Sequence, residues 1–200
     1  GKNDTTNMWL GHVATGTGGF QINGEGAHQY SGTDVAGLGD VNGDGLADIA
    51  VGAPSSSLAL SNTFKQGFVY VVFGRTSTSL VHLSDVRAGT GGFAVRGPSF
   101  LSGASLSSPA GDLNADGLGD FLVGAGNNAY FVYGKTSGTQ VELSAVAAGT
   151  GGFQMTGGGI TAMSLAGDVN GDGVGDWLLG MANLSPLSRN KAGECRLVFG

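Results

Sequence analysis

Asp40-Val41-Asn42-Gly43-Asp44-Gly45-Leu46-Ala47-Asp48 runs directly into Ile49-Ala50-Val51-Gly52-Ala53-Pro54. Side-chain oxygens stand at positions 1, 3, 5 and 9 of the first stretch. Alternate positions of a tight loop converge on one centre, and glycine at position 6 permits the sharp turn this requires. Two further stretches repeat the pattern: D-L-N-A-D-G-L-G-D at 112–120 and D-V-N-G-D-G-V-G-D at 168–176. Position 7 (Leu46, Leu118, Val174) is expected to turn its carbonyl toward the loop centre and its side chain into the core. These windows hold nine of the chain's 15 acidic residues, which concentrates the formal net charge of -6 in three places. The alternative, a polar hairpin turn held by Asx hydrogen bonds, becomes a poor account of three copies at one phase.

Hard oxygen donors without Cys or His suit Ca²⁺, which takes six to eight oxygens at about 2.3–2.6 Å. Mg²⁺ fits less well because it retains several waters and demands octahedral geometry. An EF-hand would need a bidentate Glu at position 12, where Val51, Val123 and Leu179 stand instead. Each loop leads into an apolar strand, which also argues against the helices of a dockerin.

Working outward, the loops belong to a longer repeat. Gly-Thr-Gly-Gly-Phe begins at 16, 89 and 149, and an aromatic-Gly pair falls at Phe73-Gly74, Tyr133-Gly134 and Phe199-Gly200. All three markers keep one order, so the chain reads as three copies of one unit. Residues 67–73, 129–133 and 194–199 are rich in β-branched and aromatic types. Residues 46–53, 118–125 and 174–181 supply a second strand per unit, and 33–38, 104–106 and 162–166 a shorter one before each loop. The Gly-Gly-Phe segments supply a fourth. Four short antiparallel strands per repeat describe a propeller blade, and the fold class is all-β. The expected division is a lead-in at 1–32 with the outer strand of a preceding or closing blade, then blades at 33–96, 97–156 and 157–200, the last lacking its final strand. Residues 19–23 either close the third unit or pair with a blade outside the chain. Propellers usually have four to eight blades, so three are expected to be part of a larger or assembled ring.

Asp-x-Asn-x-Asp-Gly-x-x-Asp followed by Ile49-Ala50-Val51-Gly52-Ala53-Pro54, with Phe73-Gly74 downstream, resembles the FG-GAP repeat of integrin alpha-subunit propellers and their bacterial relatives. The resemblance implies that each loop is the Ca²⁺-binding hairpin between the first and second strands of a blade. It implies as ligands Asp40, Asn42, Asp44 and Asp48 with the Leu46 carbonyl. The matching sets are Asp112, Asn114, Asp116, Leu118 and Asp120, and Asp168, Asn170, Asp172, Val174 and Asp176, for three structural ions in all. Ala115 replaces glycine in the second loop, and Gly-Ala-Pro becomes Gly124-Ala125-Gly126 and Gly180-Met181-Ala182.

Composition agrees with a compact β module. Forty glycines in 200 residues disfavour ordinary helical folds, their spacing excludes collagen, and 40% hydrophobic residues allow a core. An acidic balance argues against a nucleic-acid partner, and no apolar run is long enough to span a membrane. Three Ca²⁺ ions would cancel the formal charge. The single cysteine, Cys195, shares a strand face with Leu197 and Phe199 and is expected to be buried. Catalytic constellations are absent: His12, His28 and His82 are scattered, and Gly103-Ala104-Ser105-Leu106-Ser107 misses the nucleophile elbow at its last position. The chain is therefore read as a non-enzyme. The expected function is an extracellular or cell-surface module for adhesion or recognition of a protein or glycan. The alternatives are an accessory propeller of a secreted hydrolase or lyase, or an architectural repeat of a surface layer or filament. By resemblance the ligand face lies opposite the calcium hairpins, on loops 23–32, 54–66, 96–102 and 182–191, with Tyr30, His28, Phe64, Phe100 and Arg189 as the side chains to test. Further blades, from this or another chain, are expected as partners.

Overall fold

The computed structural model describes residues 9–54, 67–97, 104–157 and 159–200, with backbone alone for 104–107. The chain begins with helix α1 (Leu10–Ala14) and a short strand β1 (Ile22–Asn23). A first sheet follows from β2 (Asp34–Gly39), β3 (Asp48–Ala53), β4 (Phe68–Val72) and, after β5 (Val81–His82) and α2 (Leu83–Arg87), β6 (Gly92–Arg96). The second repeats the plan with β7 (Ala104–Gly111), β8 (Asp120–Ala125), β9 (Asn128–Val132), β10 (Val141–Glu142), α3 (Leu143–Ala147) and β11 (Gly152–Met155). The third contains β12 (Ala162–Gly167), β13 (Asp176–Met181) and β14 (Glu194–Val198).

Neighbouring strands within each sheet are antiparallel, in the orders β2-β3-β4-β6, β7-β8-β9-β11 and β12-β13-β14. These are blades of part of a propeller, as the repeat predicts. Parallel pairs tie one blade to the next. Strand β10 adds to the outer edge of β6, with Val141 opposite Val95, and β5 adds to β1 in the same manner, with Val81 opposite Ile22. Val95 and Ile22 both lie two residues beyond the Phe of a Gly-Gly-Phe segment. Strand β1 thus stands before the first blade as β6 stands before the second.

Strand periodicity explains the core. Successive side chains point to opposite faces, and here both faces of the middle blade are apolar. Ala50, Val69, Val71, Phe93 and Val95 form one buried cluster with Phe121, Val123, Tyr130 and Val132. On the other face of the second blade, Leu122, Ala129 and Phe131 meet Trp177, Leu179 and Met181 of the third. The outward face of the third blade is bare, with Leu178 43% exposed, Leu197 39% and Phe199 58%.

Three expectations are corrected. Cys195 is exposed because it lies on that bare face. The position-7 side chains do not all enter the core: Leu46 is 38% and Val174 44% exposed, whereas Val41 at position 2 is fully buried. The side chain at position 2, not position 7, is the one the following blade covers. Short helices also interrupt the all-strand reading at 83–87 and 143–147, where Leu83 with Val86 and Leu143 with Val146 are buried one turn apart. Two apolar residues three apart are too few to set a helical period against a strand.

Candidate functional site

Each aspartate window forms the hairpin between the first two strands of a blade. In the first, Asp40 Oδ1 accepts the N–H groups of Gly43 (2.7 Å) and Asp44 (3.1 Å), and Oδ2 accepts that of Gly45 (2.8 Å). Asn42 Oδ1 accepts from Asp44 N, and Asp44 Oδ1 from Leu46 N, each at 2.8 Å. Asn42 Nδ2 donates to Asp44 Oδ2 at 2.9 Å. The third window repeats every one of these bonds. The second repeats them with one exception: no bond from Ala115 N to Asp112 is formed, and Ala115 sits at φ 57° where Gly43 and Gly171 sit at 79°. A side chain in the left-handed region costs about 1–2 kcal/mol, which glycine avoids.

Position 9 behaves differently. Asp48, Asp120 and Asp176 are fully buried. Asp48 Oδ2 accepts Val41 N at 2.8 Å and Oδ1 accepts Gly74 N at 2.6 Å. Leu113 and Gly134 serve Asp120 in the same way, and Val169 and Gly200 serve Asp176. The aromatic-Gly pair therefore has a defined task, to hand its glycine N–H to the last aspartate of the loop. Sequence reading found the pair as a strand-end marker but missed this bond. The spacing from aspartate to glycine differs in each unit, so only the repetition of the marker pointed to it. A side chain at Gly134 would meet the carbonyl oxygens of Gly119 (2.6 Å) and Val41 (2.8 Å).

Electrostatics separate the two kinds of carboxylate. The Gly45 N–H, aided by those of Gly43 and Asp44, pulls the Asp40 carboxyl below its ordinary value. Burial pushes Asp48 and Asp120 up, against the opposing pull of their two backbone N–H groups, and the loop's other two aspartates add to the rise. A buried carboxylate beside two like charges is an arrangement that a divalent cation would relieve.

Among the described residues no three His, Cys, Asp or Glu side chains are drawn together as a metal-holding group. The loop carboxylates are instead engaged with backbone N–H groups. The donor set itself consists entirely of oxygen, with three carboxylates and one amide per hairpin, and each carboxylate oxygen can accept more than one contact. The residues thus fit a calcium ion by chemistry.

The first hairpin also carries the junction between blades. Asp40 O accepts Gly119 N at 2.7 Å, and Val41 O accepts Lys135 N at 2.8 Å. Lys135 Nζ lies 5.0 Å from the centre of the Phe93 ring and bonds Thr139 Oγ1. At the opposite end of the sheets lie loops 23–32 and 182–191. Among the described residues, five of the six non-glycine residues with positive φ fall in these two: His28 and Tyr30, and Leu187, Ser188 and Lys191. Tyr30 is 52% and Leu187 86% exposed. Phe64 and Phe100 lie outside the described residues, and no bond or ring contact of Arg189's side chain stands out. Among the described residues no helix is long and apolar enough to cross a membrane.

Comparison with known proteins agrees with the repeat. Residues 31–72 match the FG-GAP repeat model, covering the first hairpin and its flanking strands. Integrin alpha-PS5 of Drosophila melanogaster is 33% identical over 173 residues, which is 80% of this chain and 16% of that protein. Integrin alpha-X of Mus musculus is 35% identical over 109 residues (54% and 9%), and integrin alpha-M of Mus musculus 37% over 106 residues (52% and 8%). The chain therefore spans 8–16% of the length of these relatives.

Proposed function

The chain belongs to the FG-GAP repeat, integrin alpha-like family, and on that premise we propose that it is an extracellular, calcium-stabilised propeller module for adhesion or recognition. The observation that carries the metal half of this reading is the buried position-9 carboxylate. Asp48 and Asp120 are fully buried, each accepts two backbone N–H groups, and the loop's other two aspartates add to the burial that raises their values. Asp40, Asn42, Asp44, Asp48 and the Leu46 carbonyl, with their counterparts in the other two loops, would hold the ion. Bound Ca²⁺ supplies positive charge that fixes the hairpin and offsets repulsion among its acids. Asp40 also closes the turn through its three backbone bonds, and Asp48 ties the hairpin to the strand end at Gly74.

Recognition is assigned to the opposite rim. Strained non-glycine backbone concentrates where the surrounding structure holds it for use, and here it marks loops 23–32 and 182–191 beside exposed Tyr30 and Leu187. The partner class is a protein or glycan.

A thermal melt tests the metal directly. Occupancy well above Kd stabilises by about 2.7 kcal/mol per site at a hundredfold excess, so millimolar calcium is expected to raise Tm by several degrees over excess chelator. A melt that chelator leaves unmoved refutes the reading. The pH dependence has a definite sign. The folded values of Asp48 and Asp120 lie above the ordinary 3.8. In chelator their contribution is therefore complete below pH 3.8 and is lost as pH rises through the raised values. Calcium prefers the ionised form, so the Tm gap between calcium and chelator widens as pH rises across that window.

A further inference from the structure

Asparagine followed by glycine occurs at three places in the chain: Asn23-Gly24, Asn42-Gly43 and Asn170-Gly171. Two of them occupy positions 3 and 4 of the first and third hairpins, where the second hairpin has Asn114-Ala115. This pairing carries its own chemistry. The backbone nitrogen after an asparagine can attack the side-chain amide carbon, and glycine leaves that approach open because it has no Cβ.

The hairpins surround the pair with the groups this reaction needs. Gly43 N, the attacking atom, donates its N–H to Asp40 Oδ1 at 2.7 Å, within the reach required of a general base. Asn42 Oδ1, where negative charge develops, accepts the Asp44 N–H at 2.8 Å. A preorganised donor at that place stabilises an oxyanion. The third hairpin holds the same two bonds, Gly171 N to Asp168 Oδ1 at 2.6 Å and Asp172 N to Asn170 Oδ1 at 2.9 Å. Gly43 and Gly171 are exposed, so water reaches both. In the second hairpin Asp116 N still donates to Asn114 Oδ1, at 3.1 Å, but Ala115 N makes no bond to Asp112 and a Cβ stands beside it. Asn23 has the glycine but lies in strand β1, and its Oδ1 accepts Gln21 Nε2 at 2.7 Å instead of an N–H two residues on.

We propose that the first and third hairpins promote their own deamidation, at Asn42 and Asn170. A bond forms between Gly43 N and Asn42 Cγ, closing a cyclic succinimide. The Gly43 amide proton passes through Asp40 to Asn42 Nδ2, the Cγ–Nδ2 bond breaks, and ammonia leaves. Water then opens the ring at either carbonyl, giving aspartate or isoaspartate, with nothing oxidised or reduced. Gly171, Asp168 and Asn170 take the same parts in the third hairpin. Both products exchange a neutral amide for a carboxylate at position 3, and isoaspartate also lengthens the backbone by a methylene. Two hairpins thus acquire a charge that the second does not. The inference rests on the hairpin's own bonds and not on calcium, so it stands or falls apart from the calcium melt.

The 200-residue chain is incubated for weeks at neutral pH in chelator and heavy-oxygen water. Peptide mass spectrometry then reads the exchange of amide for carboxylate at each asparagine. Asn42 and Asn170 are expected to convert at least about tenfold faster than Asn23 and Asn114. Ala115→Gly is expected to raise conversion at Asn114 to the rate of the other two hairpins. Asp40→Asn is expected to slow Asn42 at least about tenfold, while Asn170 in the same molecule keeps its rate. The proposal is overturned if neither Asn42 nor Asn170 converts, or if Asn23 keeps pace with them, which makes the dipeptide alone responsible. Slow conversion at Asn114 in Ala115→Gly overturns it too, as does an Asp40→Asn chain in which Asn42 converts as fast as Asn170.

Discussion

The same repeat positions meet opposite fates in the second and third blades. Leu122 and Phe131 are fully buried, whereas Leu178 and Leu197, which occupy their places in the third blade, are 43% and 39% exposed. Val41 is sealed beneath the following blade while Val169 is open. The first three strands of each blade and nearly all of the hairpin bonds recur around these residues. The difference lies in whether another blade follows in space. Burial in this fold belongs to the junction between blades and not to the blade, as expected for a repeat whose units contact only their neighbours.

Substitution at matched positions breaks or sharpens that contrast. Phe131→Ala is expected to cost about 3–5 kcal/mol by denaturant unfolding, because a fully buried ring leaves a cavity. Leu197→Ala, at a 39% exposed position, should cost less than about 1 kcal/mol. Equal costs would mean that the third blade's face is already covered. Next in size is Gly134→Ala, where the new methyl meets carbonyl oxygens from both blades. A loss above about 2 kcal/mol is expected in the same assay, and a neutral result would show that the junction has slack.

Smaller effects probe the hairpins. Ala115→Gly relieves a left-handed alanine and should stabilise by about 0.5–1 kcal/mol after glycine's entropic cost is subtracted. The reverse change in the first hairpin, Gly43→Ala, should destabilise by more than that, because its methyl also approaches Leu118 Cδ2 at 2.8 Å. Matching magnitudes of opposite sign would indicate that the first hairpin gains nothing from its contact with the second blade. Smallest is Arg87→Ala. Arg87 pairs with Glu25 at 2.8 Å and stacks 4.6 Å from the Phe68 ring centre, but its side chain is 41% exposed. A loss of under about 1 kcal/mol follows for an exposed pair.

Local chemistry made the hairpins and the four-strand plan legible in the sequence. Asp, Asn and Gly at fixed offsets specify a turn wherever they occur, and Phe68 to Val72 is β-branched and aromatic enough to read as a strand alone. Features that depend on a second segment were hidden. The bond from Gly74 to Asp48 joins residues 26 apart, and the matching pair in the second blade is 14 apart, so no fixed offset reveals it. Cys195 carries the pattern of a buried strand residue and is exposed on the outward face of the third blade. Glu25 offers a similar case. It accepts from the buried Tyr70 hydroxyl at 2.6 Å, a contact that ties the lead-in to the first blade across 45 residues. Burial and Glu25's hydrogen bond push the Tyr70 phenol far above its ordinary value.

Calcium titration by calorimetry, on chain stripped of metal, addresses the central claim most directly. Three ions bound per chain are expected, falling to two when Asp44→Ala removes a carboxylate from one hairpin. Absence of binding at millimolar calcium, or a stoichiometry that Asp44→Ala leaves at three, would contradict the account.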